Sequence, residues 1–263
     1  MAKFVPLQKN KHADKKWKPP VNFAFAAKEA LIPIVGMEVA IAAVNMALVF
    51  VRHEGALQLA AISGPPQSAD NFFVGRDGRW LGTYIPGILR AYPFRLTRLE
   101  GRDEMALCIA SDAVGDEGQP LYDAATDDLA GPVRNNLNML EMYEKSRLHT
   151  VHAAAALEQA GVLAEWPIKF KGPKGAEISA TGLMRVDEKA LSELDDATYL
   201  KLRKIGALPM AYAQIISMSR LGALAQLAQL REKLSAASRQ QQPAQGKAPN
   251  LDFLRVEDGT LVF

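Results

Sequence analysis

Among the side chains able to do chemistry, His149 and His152 come nearest to a recognisable constellation. They stand three residues apart in a helical pattern and so share one face, with Glu141, Glu144 and Glu158 on the same stretch. Imidazoles and carboxylates so placed could hold a metal ion. The spacing is not the i, i+4 pair of the zinc proteases, however, and no HExxH pattern is completed. An ordinary polar helix face is the favoured reading, and no metal site is expected. Ser63, in Ile62-Ser63-Gly64-Pro65, lacks a Gly-x-Ser-x-Gly setting and an evident base. Gly75, Gly78 and Gly82 lack the lysine of a P-loop and the placement of a dinucleotide fingerprint. Cys108 is the single cysteine, so neither an intramolecular disulfide nor a cysteine-based zinc site can form. Its apolar context reads as an inert buried thiol. Neither a catalytic residue nor a cofactor is expected from these patterns.

Recognition chemistry is concentrated instead in residues 71–94, NFFVGRDGRWLGTYIPGILRAYPF. Phe72, Phe73, Trp80, Tyr84, Tyr92 and Phe94 gather here in a chain that is only 7% aromatic, so the clustering is not a compositional accident. Large rings carry much of the burial energy available to a core or an interface, and Trp80, Tyr92 and Phe94 are expected to be largely buried. Arg76, Arg79, Arg90, Arg95 and Arg98 surround the rings. Guanidinium groups clamp carboxylates or stack on aromatic faces. They could equally be exposed strand residues paired with Asp70, Asp77, Glu100 or Asp103. The candidate binding residues are Trp80, Tyr84, Arg90, Tyr92 and Arg95.

The elements that must position these groups follow from periodicity and turn residues. Met37–Ala47 predicts a buried helix, and Leu48–His53 and Ala56–Ser63 a hairpin across Glu54-Gly55. A second hairpin is predicted about Asp77-Gly78, one helical turn over Pro86–Ala91, and antiparallel strands at Tyr92–Leu99 and Glu104–Ile109 joined at Gly101. Asp112–Pro120 reads as a loop. Beyond it, Leu129–Leu163 predicts one long helix or a bent pair. Trp166–Phe170 and Ala176–Val186 read as strands about a turn at 172–175. Asp187 and Asp195 or Asp196 are placed as N-caps, with Gly206 as a C′ glycine. A final helix runs from Pro209 to about Ser235.

The fold class is α+β, a mostly antiparallel N-terminal sheet region packed with a mostly helical C-terminal part. The predicted organisation is a basic N-terminal arm (1–20) and a β-rich part (21–125). A helical part (126–235), with a β-hairpin near 166–186, precedes a Gln-rich linker (236–249) and a C-terminal strand or hairpin segment (250–263). The arm is expected to lie across the body, pinned by Phe4 and Trp17, rather than to dock on a nucleic-acid backbone.

Hydrophobic residues at 49% and charged ones at 23% match an ordinary soluble globular chain. A net charge of +2 gives no general attraction to nucleic acid, which is an unlikely partner. The basic start has no apolar core behind it and Ala30–Val51 is interrupted by Pro33, Gly36, Glu38 and Asn45, so neither a signal peptide nor a membrane span is expected. A cytoplasmic location fits, with signal-peptide-independent export to the cell surface as the alternative.

Several runs together resemble the SapC family of bacterial proteins. These are Pro6-Leu7, the Pro33…Glu38…Ala42-Ala43…Leu48-Val49-Phe50 series, Asn71-Phe72-Phe73-Val74 and Gly78-Arg79-Trp80. Tyr84-Ile85-Pro86…Leu89-Arg90…Tyr92-Pro93-Phe94, Gly118-Gln119-Pro120-Leu121, Gly182-Leu183 and Gly206–Ser217 continue the same order. Met46-Ala47 departs from the tyrosine-proline expected there. The similarity spans most of residues 5–235. It implies a surface-layer-associated protein linked to serum resistance, and no catalytic residues to carry over. The peptide-transporter permease of the same name is a different protein, with membrane spans that this chain lacks. The expectation is a non-catalytic binding or assembly protein acting through its aromatic–arginine surface, on a protein partner or a second copy. The alternative is an enzyme or accessory subunit with a small anionic ligand in a pocket between the two parts, held by Arg90, Tyr84 and Asp187.

Overall fold

The computed structural model describes residues 3–99, 104–171 and 177–241. Its lysine-rich start forms β1 (Phe4–Pro6), the one-turn helix α1 (Lys9–His12) and β2 (Lys16–Trp17). After Pro19-Pro20 come β3 (Leu31–Pro33), α2 (Val39–Ala43), β4 (Leu48–His53) and β5 (Ala56–Ile62). The short helix α3 (Gly87–Arg90) leads into β6 (Phe94–Arg98) and β7 (Met105–Ala110). Two-residue strands β8 (Val114–Gly115) and β9 (Gln119–Pro120) close this half. The second half opens with the 29-residue helix α4 (Gly131–Gln159). Four short strands follow: β10 (Leu163–Glu165), β11 (Ile168–Lys171), β12 (Glu177–Ala180) and β13 (Leu183–Val186). Helices α5 (Glu188–Ser192), α6 (Asp196–Ile205), α7 (Ala207–Ser217) and α8 (Leu221–Gln241) complete it. The fold is α+β, with antiparallel sheets in the N-terminal part and helices in the C-terminal part. No described helix is long and apolar enough to cross a membrane.

The β4–β5 hairpin is the frame. Glu54 and Gly55 take φ of 49° and 79°, the paired positive values of a two-residue turn that matches strand twist. Leu48, Val49 and Phe50 are all buried, so both faces of the strand are covered where it begins. The five-stranded sheet runs β10-β13-β4-β5-β3, every pair antiparallel. Two of its strands therefore come from the helical half. Helix α4 packs on β5, and α7 on β4 and β13. Gln214 ties the last contact together: its Oε1 accepts from the Val186 N–H at 2.8 Å and its Nε2 donates to the Leu48 carbonyl at 3.1 Å.

A second apolar cluster holds Trp17, Phe94, Ile109, Leu121, Val133 and Leu140. Helix α4 spans both clusters, giving Val133 and Leu140 to this one and Ala153, Ala154 and Leu157 to the larger. Burying each such large side chain contributes about 1.5–3 kcal/mol. The basic start belongs to the second cluster. β1 pairs with β7, and β2 lies between β8 and β9, inside the stretch read from sequence as a loop. Lys15 and Lys18 meet Asp116 and Glu117 at 2.7 Å each, and Lys9 pairs with Asp127.

Several elements differ from their sequence readings for local reasons. The predicted helix over Met37–Ala47 contracts to a 3-10 turn (Gly36–Glu38) and α2, leaving Met37, Ile41 and Val44 exposed. With Glu38 and Asn45 its only polar side chains, the run has no periodic polar face to show which side turns inward. The strand read as 176–186 is divided at Gly182, whose φ of 75° sends β12 back to β11 and β13 to β4. The helix from Pro209 breaks at a 3-10 turn, Met218–Arg220. There the Ser217 hydroxyl donates to the Gln214 carbonyl (2.6 Å) and accepts from the Leu48 N–H (2.9 Å), competing with the helical ladder. The Asp77-Gly78 hairpin reduces to one bridge, Val74 to Trp80. Helix α8 continues to Gln241, into the stretch read as linker. The joint at Gly101, the turn at 172–175, the rest of the linker and the C-terminal segment lie outside the described residues.

Candidate functional site

Asn71 starts the aromatic stretch by anchoring it. The side chain is wholly buried; its amide donates to the Ala26 carbonyl (3.0 Å) and its oxygen accepts from the Phe73 N–H (3.0 Å). Asp77 then caps the tight turn through the Arg79 N–H at 3.0 Å. These two contacts lay Trp80 back on Phe73, ring centroids 5.2 Å apart and planes at 16°. The indole N–H donates to the Tyr84 carbonyl at 2.8 Å, which fixes the ring's rotation.

From Trp80 a path of half-buried rings continues through residues far away in sequence. Phe23 lies 5.6 Å from Trp80 and 5.9 Å from Phe25. Phe25 stacks on Tyr92 at 3.8 Å with planes at 6°, and Tyr92 meets Phe4 edge-on at 6.3 Å. The exposed Arg95 guanidinium ends the path, 4.9 Å above the Phe4 ring. The five rings Phe4, Phe23, Phe25, Trp80 and Tyr92 each keep part of their surface accessible. A guanidinium over a ring face is attractive by about 0.5–1 kcal/mol at an exposed site.

Below the Trp80 end lies a buried carboxylate. Glu38 is only 5% exposed and accepts three hydrogen bonds: from the Tyr84 hydroxyl, from the Gly87 N–H at 2.7 Å and from the Val35 N–H at 3.4 Å. A carboxylate taken out of water requires such donors. Gly87 is needed for the approach, because a Cβ there would stand 3.1 Å from Glu38 Oε2. Tyr143 from α4 packs alongside and donates to the Pro33 carbonyl at 3.1 Å. Burial pushes both phenols, Tyr84 and Tyr143, far above the ordinary tyrosine value, and the Glu38 charge adds to it. The Arg90 guanidinium beside Tyr84 opposes part of that rise. The arrangement keeps two neutral phenols beside the Glu38 carboxyl group.

The predicted residues thus divide between two ends of one surface. Tyr84 meets both Glu38 and Arg90, with Trp80 joined through the Tyr84 carbonyl. Tyr92 and Arg95 meet through Phe4. Trp80 and Tyr92 are half-buried rather than core residues, since the rings stack on one another at the surface; Phe94 is buried, edge-on to Trp17 at 4.8 Å. Arg79 pairs with Asp77 at 3.1 Å, while Asp70 pairs with Arg231 at 2.7 Å. Asp187 lies apart from Tyr84 and Arg90 in role: it caps α5, accepting from the Lys189 and Ala190 N–H groups. His149 and His152 are exposed on α4, Glu144 pairs with Arg147 and Glu158 with Arg52. Among the described residues no group of three His, Cys, Asp or Glu is placed to hold a metal. Burial raises the Cys108 thiol, in keeping with an inert group.

Phe4, Phe23, Phe25, Glu38 and Tyr143 complete the site and are absent from the candidate set drawn from sequence. Glu38 carried a usable signal, as the one charged residue between Ala30 and Val51. The three phenylalanines carried none, being scattered rings whose relation to Tyr92 and Trp80 is made only by the fold.

Fold and site together describe an α+β protein with an aromatic–arginine face on a pinned carboxylate. Residues 7–224 match the SapC family, and the chain belongs to that family. No curated protein and no solved structure matches it.

Proposed function

We propose that the protein is a non-catalytic binding or assembly protein, and that the ring path from Trp80 to Phe4, ended by Arg95, is its contact surface for another protein. The observation that carries this reading is the continuity of five half-buried rings between 3.8 and 6.3 Å apart. Half-exposed tyrosine, tryptophan and arginine are the residue types that dominate binding energy at interfaces. Rings fixed by stacking and by the Trp80–Tyr84 hydrogen bond lose little entropy on binding. The surface-layer association of the family name is part of the same proposal, as are the cytoplasmic location and export to the surface as its alternative. Cross-linking in the native cell, followed by comparison with a Tyr92→Ala/Arg95→Ala variant of unchanged melting temperature, tests it. Loss of a cross-linked protein supports the reading; an unchanged set of cross-links overturns it.

The anionic-ligand reading rests on Arg90, whose guanidinium lies at the Tyr84 phenol and is exposed. A point charge cannot reproduce the guanidinium fork. Arg90→Lys should then abolish binding of a dicarboxylate or phosphate probe in calorimetry while the melting temperature stays within a degree or so. Equal binding by both proteins rejects it.

A further inference from the structure

Both ends of the ring path carry a cation that the fold leaves unanswered. Residues 76–95 hold four arginines, Arg76, Arg79, Arg90 and Arg95, against one acid, Asp77, which pairs with Arg79. Arg76, Arg90 and Arg95 are exposed, and no ion pair holds them among the described residues. Arg90 lies at the Tyr84 phenol, where Trp80 is bound, and Arg95 stands over Phe4 at the far end. The exposed Lys3 adjoins Phe4 in the chain. Two further acids come near. Glu38 is buried and taken by its three donors, which leaves the exposed Asp112, beside Tyr92, as the one carboxylate near the rings that is not otherwise engaged among the described residues.

Free guanidiniums at both ends of an apolar path select among occupants. A wholly apolar partner would bury them without counter-charge, and a basic one would be repelled. A second copy presenting the same face brings the same excess of positive charge. Single-stranded nucleic acid binds by stacking its bases on open ring faces along a strongly basic groove. Here Trp80 lies on Phe73 and Phe25 on Tyr92, so those rings already have one face covered, and the chain as a whole carries only +2. Carboxylates match the planar fork of a guanidinium and form charge-assisted pairs with it. A protein segment that sets Asp or Glu beside apolar side chains supplies both needs at once, carboxylates for the ends and apolar surface for the rings between them.

We infer that the partner of the ring path presents an acidic segment, its carboxylates seated on Arg90 and Arg95 and its apolar side chains on the rings; this rests on the ring path being a protein contact surface. Selection of random dodecapeptides on the full chain tests it, with fluorescence anisotropy of the selected peptides and of a single-stranded oligothymidylate as the readout. Arg90 and Arg95 are exposed, so Arg90→Gln/Arg95→Gln keeps its circular dichroism spectrum. Tyr92→Ala reports on the rings, with Phe4→Ala as a second ring variant if the first melts early. The expected peptides are rich in Asp and Glu beside apolar residues. Their binding should weaken about tenfold in the double arginine variant and again on raising salt to about 0.5 M, as charge pairing requires, and it should weaken in the ring variant. Peptides that the ring variant weakens but that lack acids, or that the arginine variant leaves unchanged, overturn the acidic partner and leave the contact surface standing. If neither ring variant weakens any selected peptide, the contact-surface reading falls and this inference with it. Oligothymidylate bound more tightly than the peptides, and lost in the arginine variant, assigns the face to nucleic acid and overturns the inference.

Discussion

At the scale of single residues, Glu38 decides how the site is held. Its three donors come from the residue before its own 3-10 turn, a loop and the first residue of α3, so one carboxylate joins segments some fifty positions apart in sequence. Glu38→Ala strands the Tyr84 hydroxyl and the Gly87 N–H, and each orphaned buried group costs about 1–3 kcal/mol. Urea unfolding should show a loss of that order, and a loss under about 0.5 kcal/mol would mean water replaces the carboxylate freely. The phenols give a pH signature. Tyr84 and Tyr143 have native pKa values raised above the unfolded value of about 10. Their contribution is whole below about pH 10 and is lost as pH rises. The urea midpoint should therefore fall as pH rises above about 10, and fall less in Tyr143→Phe. Parallel curves for the two proteins would remove Tyr143 from that account.

Among elements, what could be read from sequence was what neighbours along the chain determine. The Glu54-Gly55 turn, the helical turn before Arg90, the Asp187 and Asp195 caps and the Gly206 stop all lie where their residue types place them. Asp195 accepts from the Thr198 N–H at 3.0 Å, and Asp195→Ala should cost about 0.5–2 kcal/mol in a denaturant titration. A change near zero would show that α6 is fixed by packing alone. Pairings between distant segments were not legible. Nothing in Leu183–Val186 marks it as the partner of β4, and nothing in Lys16-Trp17 marks it as the strand between β8 and β9. The site follows the same division. Residues 71–94 announced the Trp80, Tyr84 and Arg90 end by composition, whereas Phe4, Phe23 and Phe25 reach the rings only through tertiary packing.

For the whole molecule, the question is what keeps the N-terminal segment in place, since Phe4 completes the ring path and Trp17 the second core. The segment meets its acidic counterpart through Lys9–Asp127, Lys15–Asp116 and Lys18–Glu117. The lysine partners hold Asp116 and Glu117 below the ordinary carboxylate range, so both carboxylates stay charged at neutral pH and are neutralised on acidification. All three are solvent-exposed, and exposed pairs are weak and screened by salt. Trp17 is buried, packed edge-on to Phe94, and its truncation should cost about 3–5 kcal/mol. The indole, rather than the charges, is then the anchor. Limited trypsin digestion distinguishes the two, with Lys15 and Lys16 as the reporting sites. In about 1 M salt, where the Debye length shrinks to about 3 Å, wild-type protein should remain uncut there. Trp17→Ala at low salt should be cut at both positions while the strands of the larger core stay protected. Cleavage of the wild type by high salt alone would transfer the anchoring role to the ion pairs.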